Sequence, residues 1–165
     1  MALPNGAKAQ EFALTITTGK PVKLSELMKR GPFLLAFFKV SCPTCQYAFP
    51  YFERMSQLHK PEAVSFVGIS QDNLADTQAF MKKYGVTFPV AVDDSKQYIV
   101  SNAYKLTNVP TAYLVDRDGK IQASSVGWAR KDMEEINLKL SMMDPAQQQH
   151  PIFNPGEEIA EYKAG

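Results

Sequence analysis

The residues in this chain best suited to chemistry are its two cysteines, which stand in the motif Cys42-Pro43-Thr44-Cys45. Three positions apart on the first turn of a helix, their sulfur atoms lie close enough to form a disulfide. The start of a helix supplies unpaired N–H groups and a partial positive charge, which favour a thiolate at the first cysteine. The spacing therefore predicts thiol–disulfide chemistry, with Cys42 as the exposed nucleophile and Cys45 as the resolving thiol.

A metal site is the main alternative for two closely spaced cysteines. A structural zinc ion needs about four ligands. His59 follows Cys45 at a finger-like spacing, but His150 is too distant to complete that pattern. A c-type haem needs a histidine directly after the second cysteine, where this chain has Gln46. We therefore expect no metal and no cofactor, and two unreactive buried cysteines stay open as a further alternative.

The segments on either side of the motif predict the elements that position it. Phe33 to Val40 is a largely apolar stretch typical of a buried strand. From Cys42 to about Lys60 the apolar residues recur at helical spacing, and Pro50 inside this helix is expected to kink it. Cys42 thus follows directly on a strand, at the start of a helix.

The remainder of the chain alternates strands and helices. A β-hairpin is expected between Phe12 and Leu24, and a short helix from Ser25 to Gly31. Further strands are expected over residues 64–70, 90–92, 111–115 and 120–125, and further helices over residues 73–84, 95–105 and 130–143. Ser95 is expected to cap the helix over residues 95–105. This order predicts an α/β fold with a mixed central β-sheet sandwiched by helices and an N-terminal β-hairpin.

Composition limits the organisation and the partners of the chain. Its 165 residues, 45% of them hydrophobic, suit one globular domain, which we place over residues 1–143. Residues 144–165 contain three prolines and two glycines and are interpreted as an extended tail. A net charge of +1 gives no basic surface for nucleic acid. No apolar run is long enough for membrane insertion.

The predicted compartment rests on the first ten residues. Met1 to Gln10 lack the charged and apolar regions of a signal peptide. We therefore expect a cytoplasmic protein. The same sequence also fits a periplasmic or other extracytoplasmic protein from which a signal or anchor has been removed.

Several of these segments together resemble the thioredoxin superfamily, in particular its TlpA/ResA-like and redoxin (AhpC/TSA) groups. The strand over residues 33–38 and the CxxC helix resemble the family's active-site unit, and Pro50 sits where thioredoxins have a helix-kinking proline. The segment Asn108-Val109-Pro110-Thr111 resembles the cis-proline loop, which in the family lies against the active-site cysteines. The resemblance covers roughly residues 5 to 143 and implies a thioredoxin-like fold.

The resemblance also implies an activity. The chain is expected to be a thiol–disulfide oxidoreductase in which Cys42 attacks a substrate disulfide and Cys45 releases the mixed disulfide. Its partners would be protein disulfides and a second protein that reduces or oxidises the CxxC motif. The substrate-binding residues that the resemblance implies are Pro43, Thr44, Val109 and Pro110.

The chain departs from the family pattern around the first cysteine. The family usually has tryptophan directly before it, where this chain has Ser41, and thioredoxins have a buried acid at the position of Ala36. Trp128 lies far downstream, where we expect it to have a packing role. Asp72 lies near the position of an acid in some TlpA-like proteins, although it fits a helix N-cap equally well.

Two other functions compete with the oxidoreductase. Peroxiredoxins resemble this fold and often have Val-Cys-Pro-Thr at the cysteine that attacks peroxide. Their motif has a proline seven residues before that cysteine and a Thr or Ser three residues before it, where this chain has Leu35 and Lys39. A binding module in which residues 144–165 dock a partner is the third candidate. The intact CxxC motif argues against it.

Overall fold

The computed structural model describes residues 2–165 and orders them into nine strands and five helices. In chain order they are β1 (Ala13–Thr15), β2 (Pro21–Lys23), α1 (Leu24–Arg30), β3 (Phe33–Phe38), α2 (Pro43–Ser56), β4 (Ser65–Ser70), α3 (Leu74–Tyr84), β5 (Val90–Val92), α4 (Ile99–Ala103), β6 (Thr111–Val115), β7 (Ile121–Val126), β8 (Trp128–Ala129), α5 (Arg130–Met143) and β9 (Tyr162–Lys163). Within residues 2–165, none of the helices is long and apolar enough to cross a membrane.

A five-stranded sheet in the order β5-β4-β3-β6-β7 lies at the centre of the molecule. Strand β3 pairs in parallel with β4 and antiparallel with β6, so the sheet is mixed. Both β3 and β4 are buried along their whole length, because helices cover the two faces of the sheet. The predicted α/β fold is therefore confirmed, and β1 and β2 form the predicted N-terminal hairpin.

Successive residues of β3 belong to two separate cores. Leu34, Ala36 and Phe38 pack with apolar residues of α2, α3 and α5. The alternate residues of β3 pack with α1, α4 and the N-terminal segment. Because side chains alternate across a strand, one apolar stretch can serve both cores. The core on the α2 side contains Cys45, so the CxxC motif is packed against a core that also includes Phe49, Phe80 and Trp128.

The prediction for the start of α4 was wrong. The helix begins at Ile99, and Ser95 does not cap it. Asp93, which is 1% exposed, accepts hydrogen bonds from the backbone N–H groups of Val100 and Ser101 at 3.1 and 2.8 Å. Asp94 accepts from the N–H groups of residues 96 and 97. Asp94 thus holds residues 96 and 97 in a turn, and Asp93 binds N–H groups in the first turn of α4, which begins four residues later than predicted.

Residues 144–165 pack on the domain over much of their length. Ile152 and Phe153 are 2% and 9% exposed and belong to the core on the α2 side. Farther along, β9 pairs with β8 in an antiparallel ladder of two residues. Arg54 of α2 binds the carboxylate of Glu157 through two nitrogens, at 2.7 and 2.9 Å. The division into residues 1–143 and a tail stays a prediction.

A buried, hydrogen-bonded histidine–aspartate pair joins the segment after α2 to the end of α5. His59 donates from Nδ1 to Oδ2 of Asp144 at 2.6 Å, and their side chains are only 2% and 7% exposed. Burial acts to raise the pKa of Asp144, but the hydrogen bonds from His59 and from the N–H of Ala146, together with nearby positive charge, outweigh burial and hold that pKa below its ordinary value. The pair fixes the point at which residues 144–165 leave the last helix.

We expect Asp144→Asn to lower the free energy of unfolding at pH 7 by about 1–3 kcal/mol, because an uncharged amide is a weaker partner for His59. Since the pKa of Asp144 is lower in the folded chain, the carboxylate stabilises the fold above about pH 4 and loses this effect as the pH falls through its folded-state pKa. Urea titrations should therefore show a smaller deficit at pH 3 than at pH 7. Equal deficits at both pH values would contradict this prediction.

Candidate active site

The CxxC motif lies at the junction of β3 and α2. Cys42 is the N-cap of α2 in an extended conformation, and its Sγ accepts a hydrogen bond from the backbone N–H of Cys45 at 3.2 Å. Pro43 is the first helical residue, where the N–H that proline lacks would have no partner within the helix. Both cysteines are free thiols. The structure thus holds the two sulfurs on one turn.

The two thiols have different environments. Cys42 is half-buried, whereas Cys45 is 0% exposed and lies in the core against α2 and the sheet. Burial raises the pKa of the Cys45 thiol far above its ordinary value, and the neighbouring Cys42 and Asp72 raise it further. Cys45 is therefore a protonated thiol at neutral pH, and only Cys42 is open to an incoming sulfur.

The loop before β6 lies against the first cysteine. The thiol of Cys42 donates to the carbonyl oxygen of Val109 at 3.4 Å, although the two residues are 67 positions apart. The Val109–Pro110 peptide bond is cis. Thr111 closes the loop by donating its hydroxyl to the carbonyl of Asn108 at 2.7 Å. Val109 therefore lies at the site, and Pro110 follows it directly.

Asp72 also lies at this edge of the sheet. Its Oδ2 accepts the backbone N–H of Val40 at 2.8 Å, just before the CxxC motif. The N-cap of α3 is Asn73, whose side chain accepts from the N–H of Asp76 at 2.8 Å, so Asp72 is not the cap. Asp72 thus places a carboxylate near enough to Cys45 for its charge to raise the pKa of that thiol. Ala36, at the position of the thioredoxin acid, has no carboxylate.

Trp128 packs behind the active-site helix. It is 0% exposed, and its ring lies 4.9 Å from that of Tyr47 and 5.0 Å from that of Tyr51, measured between centroids. Its indole N–H donates to the carbonyl of Ala160 at 2.7 Å. The packing role expected for this residue is what the structure shows, and it connects α2 to residues 144–165.

Sequence reasoning missed the residues that approach the motif from the end of the chain. The hydroxyl of Thr44 donates to the carbonyl of Ala164 at 2.5 Å, across 120 positions. Asn108 donates its amide to the carbonyl of Gly165 at 3.3 Å. Nothing in the local pattern of these residues signals the contact, because it depends on how the chain returns after α5.

The residues that bear on a metal site and on a peroxidase have other contacts in the structure. His59 is paired with Asp144, and among residues 2–165 no three His, Cys, Asp or Glu side chains are grouped so that they could hold a metal ion. Leu35 is fully buried in β3, and the ammonium of Lys39 lies over the ring of Tyr98 at 5.4 Å. Lys39 therefore offers no hydroxyl of the kind that a peroxidatic cysteine uses, and Leu35 takes the place of that motif's proline.

Comparison with known proteins gives the family. A sequence model of the AhpC/TSA family matches residues 5–124, which include β3, α2 and the loop before β6. The chain belongs to the AhpC/TSA family. It is 32% identical over 147 residues to the thiol-disulfide oxidoreductase ResA of Bacillus subtilis (strain 168), which covers 88% of this chain and 79% of that protein.

Two solved structures of thiol–disulfide proteins share the fold of this chain. A putative thiol:disulfide interchange protein DsbE from Chlorobium tepidum is 31% identical and superposes with a TM-score of 0.72, over 82% of this chain and 94% of that one. A putative protein disulfide isomerase from Bacteroides thetaiotaomicron is 28% identical, with a TM-score of 0.77 over 86% and 90%. The predicted resemblance, the fold and the class of thiol–disulfide oxidoreductase are confirmed. The roles of individual residues stay predictions.

Iodoacetamide at pH 7 should modify Cys42 and leave Cys45 unmodified. The thiolate is the reacting form, and Cys45 is both inaccessible and protonated. We expect the Cys42→Ser chain to react on the order of 100-fold more slowly than the Cys45→Ser chain, as followed by intact-protein mass. In guanidinium chloride the two variants should react alike. Equal rates in the folded state would contradict the assigned asymmetry.

Proposed function

We propose that this chain exchanges electrons with protein disulfides through Cys42 and Cys45. The observation that carries the proposal is the asymmetry of the pair. Cys42 is a half-buried helix N-cap, whereas Cys45 is fully buried with a raised pKa. An attacking thiol needs access and a stabilised thiolate, and a resolving thiol needs only to reach its neighbour. The two environments fit these two tasks in chain order.

The proposed reaction proceeds through a mixed disulfide. The Cys42 thiolate attacks one sulfur of the substrate disulfide and forms a mixed disulfide with it. The substrate's own S–S bond breaks, and its other sulfur leaves and takes up a proton. Cys45 then loses its proton and attacks the sulfur of Cys42, which releases the second substrate thiol. The substrate gains two electrons and the CxxC pair becomes a disulfide. A separate dithiol or disulfide protein must return the pair to its starting state.

Two features stabilise the charges in this sequence. Negative charge on Cys42 lies at the start of α2, within reach of the N–H of Cys45. Cys45 must pass its proton to an acceptor before it can attack. Thioredoxins have an acid at the position of Ala36, and alanine cannot take the proton. Asp72, whose charge raises the pKa of Cys45, is the carboxylate that we assign to this task.

Protein substrates are favoured over small ones by the similarity to a putative protein disulfide isomerase. For binding, we propose that Pro43, Thr44, Val109 and Pro110 contact the substrate, since Thr44 and Val109 lie on either side of Cys42 at the same edge.

The cytoplasmic location stays a prediction.

The Cys45→Ser variant should accumulate a covalent complex with a protein disulfide substrate, because resolution is blocked after Cys42 has attacked. Insulin is a suitable substrate, and the complex is measured on a non-reducing gel and lost on adding dithiothreitol. Cys42→Ser should trap nothing and reduce no insulin. Trapping by Cys42→Ser and not by Cys45→Ser would reverse the assigned roles.

Assays of insulin reduction and of peroxide consumption on the same wild-type preparation distinguish an oxidoreductase from a peroxidase. We expect insulin reduction with dithiothreitol as electron donor and no peroxide consumption above the rate of the Cys42→Ser control. Peroxide turnover without insulin reduction would overturn the proposal.

Asp72→Asn should slow release of the mixed disulfide by on the order of 100-fold, because the amide cannot take the proton of Cys45. The amide oxygen can still accept the N–H of Val40, so the loop before the CxxC motif is expected to keep its shape. The measured quantity is the lifetime of the mixed disulfide after rapid mixing. Asp76→Asn, on the exposed first turn of α3, is the matched control. Equal lifetimes in the two variants would remove Asp72 from the mechanism.

A further inference from the structure

Residues 160–165, which we call the strap, lie along the edge of the sheet where the CxxC motif stands. Tyr162 and Lys163 form β9 and pair with β8. Beyond β9, Ala164 and Gly165 run between the start of α2 and the loop before β6. The strap is thus an extended segment of polypeptide that reaches the redox centre from outside the sheet.

The last residues of the strap contact both sides of the site. Thr44, inside the CxxC motif, donates to the carbonyl of Ala164 at 2.5 Å, and Asn108 donates to the carbonyl of Gly165 at 3.3 Å. A Cβ atom on Gly165 would lie 2.5 Å from the carbonyl oxygen of Val109. That oxygen is the one to which the Cys42 thiol donates. Strap and nucleophile therefore meet at the same atom.

Close approach of two backbones makes this arrangement possible. Gly127, with φ of +70°, lies where a Cβ would be 2.7 Å from the carbonyl oxygen of Lys163 and 2.9 Å from the nitrogen of Gly165. Glycine lets two main chains approach within these distances. The backbone N–H of Arg130 also donates to the carbonyl oxygen of Glu161, at 3.0 Å. The strap is held largely through its main chain, as an extended peptide is when it pairs with a strand, here with β8.

The strap is attached much more weakly than the segment that precedes it. Residues 161–165 are exposed, and Tyr162 among them is 67% exposed. By contrast, Ile152 and Phe153 are buried in the core. Segments with few buried apolar contacts open at low free-energy cost. The strap can therefore leave the site while residues 152 and 153 stay in place.

We propose that the strap is an internal competitor of the polypeptide substrate. It occupies the surface beside Cys42 as an extended strand, and an extended segment of a substrate protein binds there once the strap has left. The inference rests on the proposed function, because it concerns access of a protein disulfide to Cys42. A small disulfide needs only the half-buried sulfur of Cys42, so the strap hinders protein substrates more than small ones.

Trp128 provides an optical signal for the position of the strap. It is the single tryptophan of the chain, and its indole N–H donates to the carbonyl of Ala160 at 2.7 Å. The N–H of Ala160 in turn donates to the hydroxyl of Tyr47 at 3.0 Å, and Tyr47 packs edge-on against the indole. Release of the strap breaks both hydrogen bonds, so the tryptophan emission should change.

The variant Gly165→Val tests the proposal in the full chain. Its Cβ collides with the carbonyl of Val109, so the strap should be expelled from the site without any change in the CxxC motif. We expect kcat/KM for insulin reduction to rise about 3- to 10-fold, with less than about a twofold change for 2-hydroxyethyl disulfide. Ala146→Val, which adds methyl groups on an exposed part of the tail, is the matched control.

Hydrogen exchange and a synthetic peptide complete the test. Amides of residues 160–165 should exchange faster in Gly165→Val, with altered emission of Trp128. A peptide with the natural sequence of residues 157–165 should lower the insulin rate of the variant towards that of the wild type. Faster exchange without a faster insulin rate would overturn the proposal, as would a strap that stays protected in the variant. Absence of insulin reduction in every chain would instead refute the proposed function.

Discussion

The position of Cys42 at the start of α2, directly after the central strand β3, is the constraint on which the site depends. Because β4 runs parallel to β3, its end brings Asp72 to the same edge of the sheet. Because β6 runs antiparallel, its beginning brings Val109 there as well. Strand β7 then returns antiparallel to β6 and delivers Gly127 to that edge. Four distant parts of the sequence therefore meet through strand direction alone.

Burial of Cys45 separates the chemistry of two otherwise similar thiols. The aromatic core around α2 removes its sulfur from water and raises its pKa, while Cys42 keeps access to solvent. This core also contains Trp128 and Phe153, so the packing that shields the Cys45 thiol is the packing that attaches residues 144–165. The redox pair and the end of the chain share one hydrophobic environment.

The sequence was sufficient where a pattern is local. The apolar stretch of β3, the CxxC helix and the strands β6 and β7 all depend on neighbours in sequence, and the sequence predicts their positions within a few residues. The start of α4 was not, because a buried carboxylate at Asp93 satisfies backbone groups seven and eight positions away. The pairing of β8 with β9 joins two-residue strands more than thirty positions apart, and such short segments have no periodicity to reveal them.

The segment between the buried Phe153 and the strap has a consequence of its own. Residues 154–159 act as a tether whose length and stiffness set the effective concentration of the strap at the redox centre. Pro155 restricts this tether, and the Arg54–Glu157 ion pair fixes its middle to α2. An insertion or deletion within residues 154–159 would therefore change how often the site is occupied without altering any residue that contacts a substrate. Tether length is thus a means of adjusting activity that leaves the cysteines and their pKa values untouched.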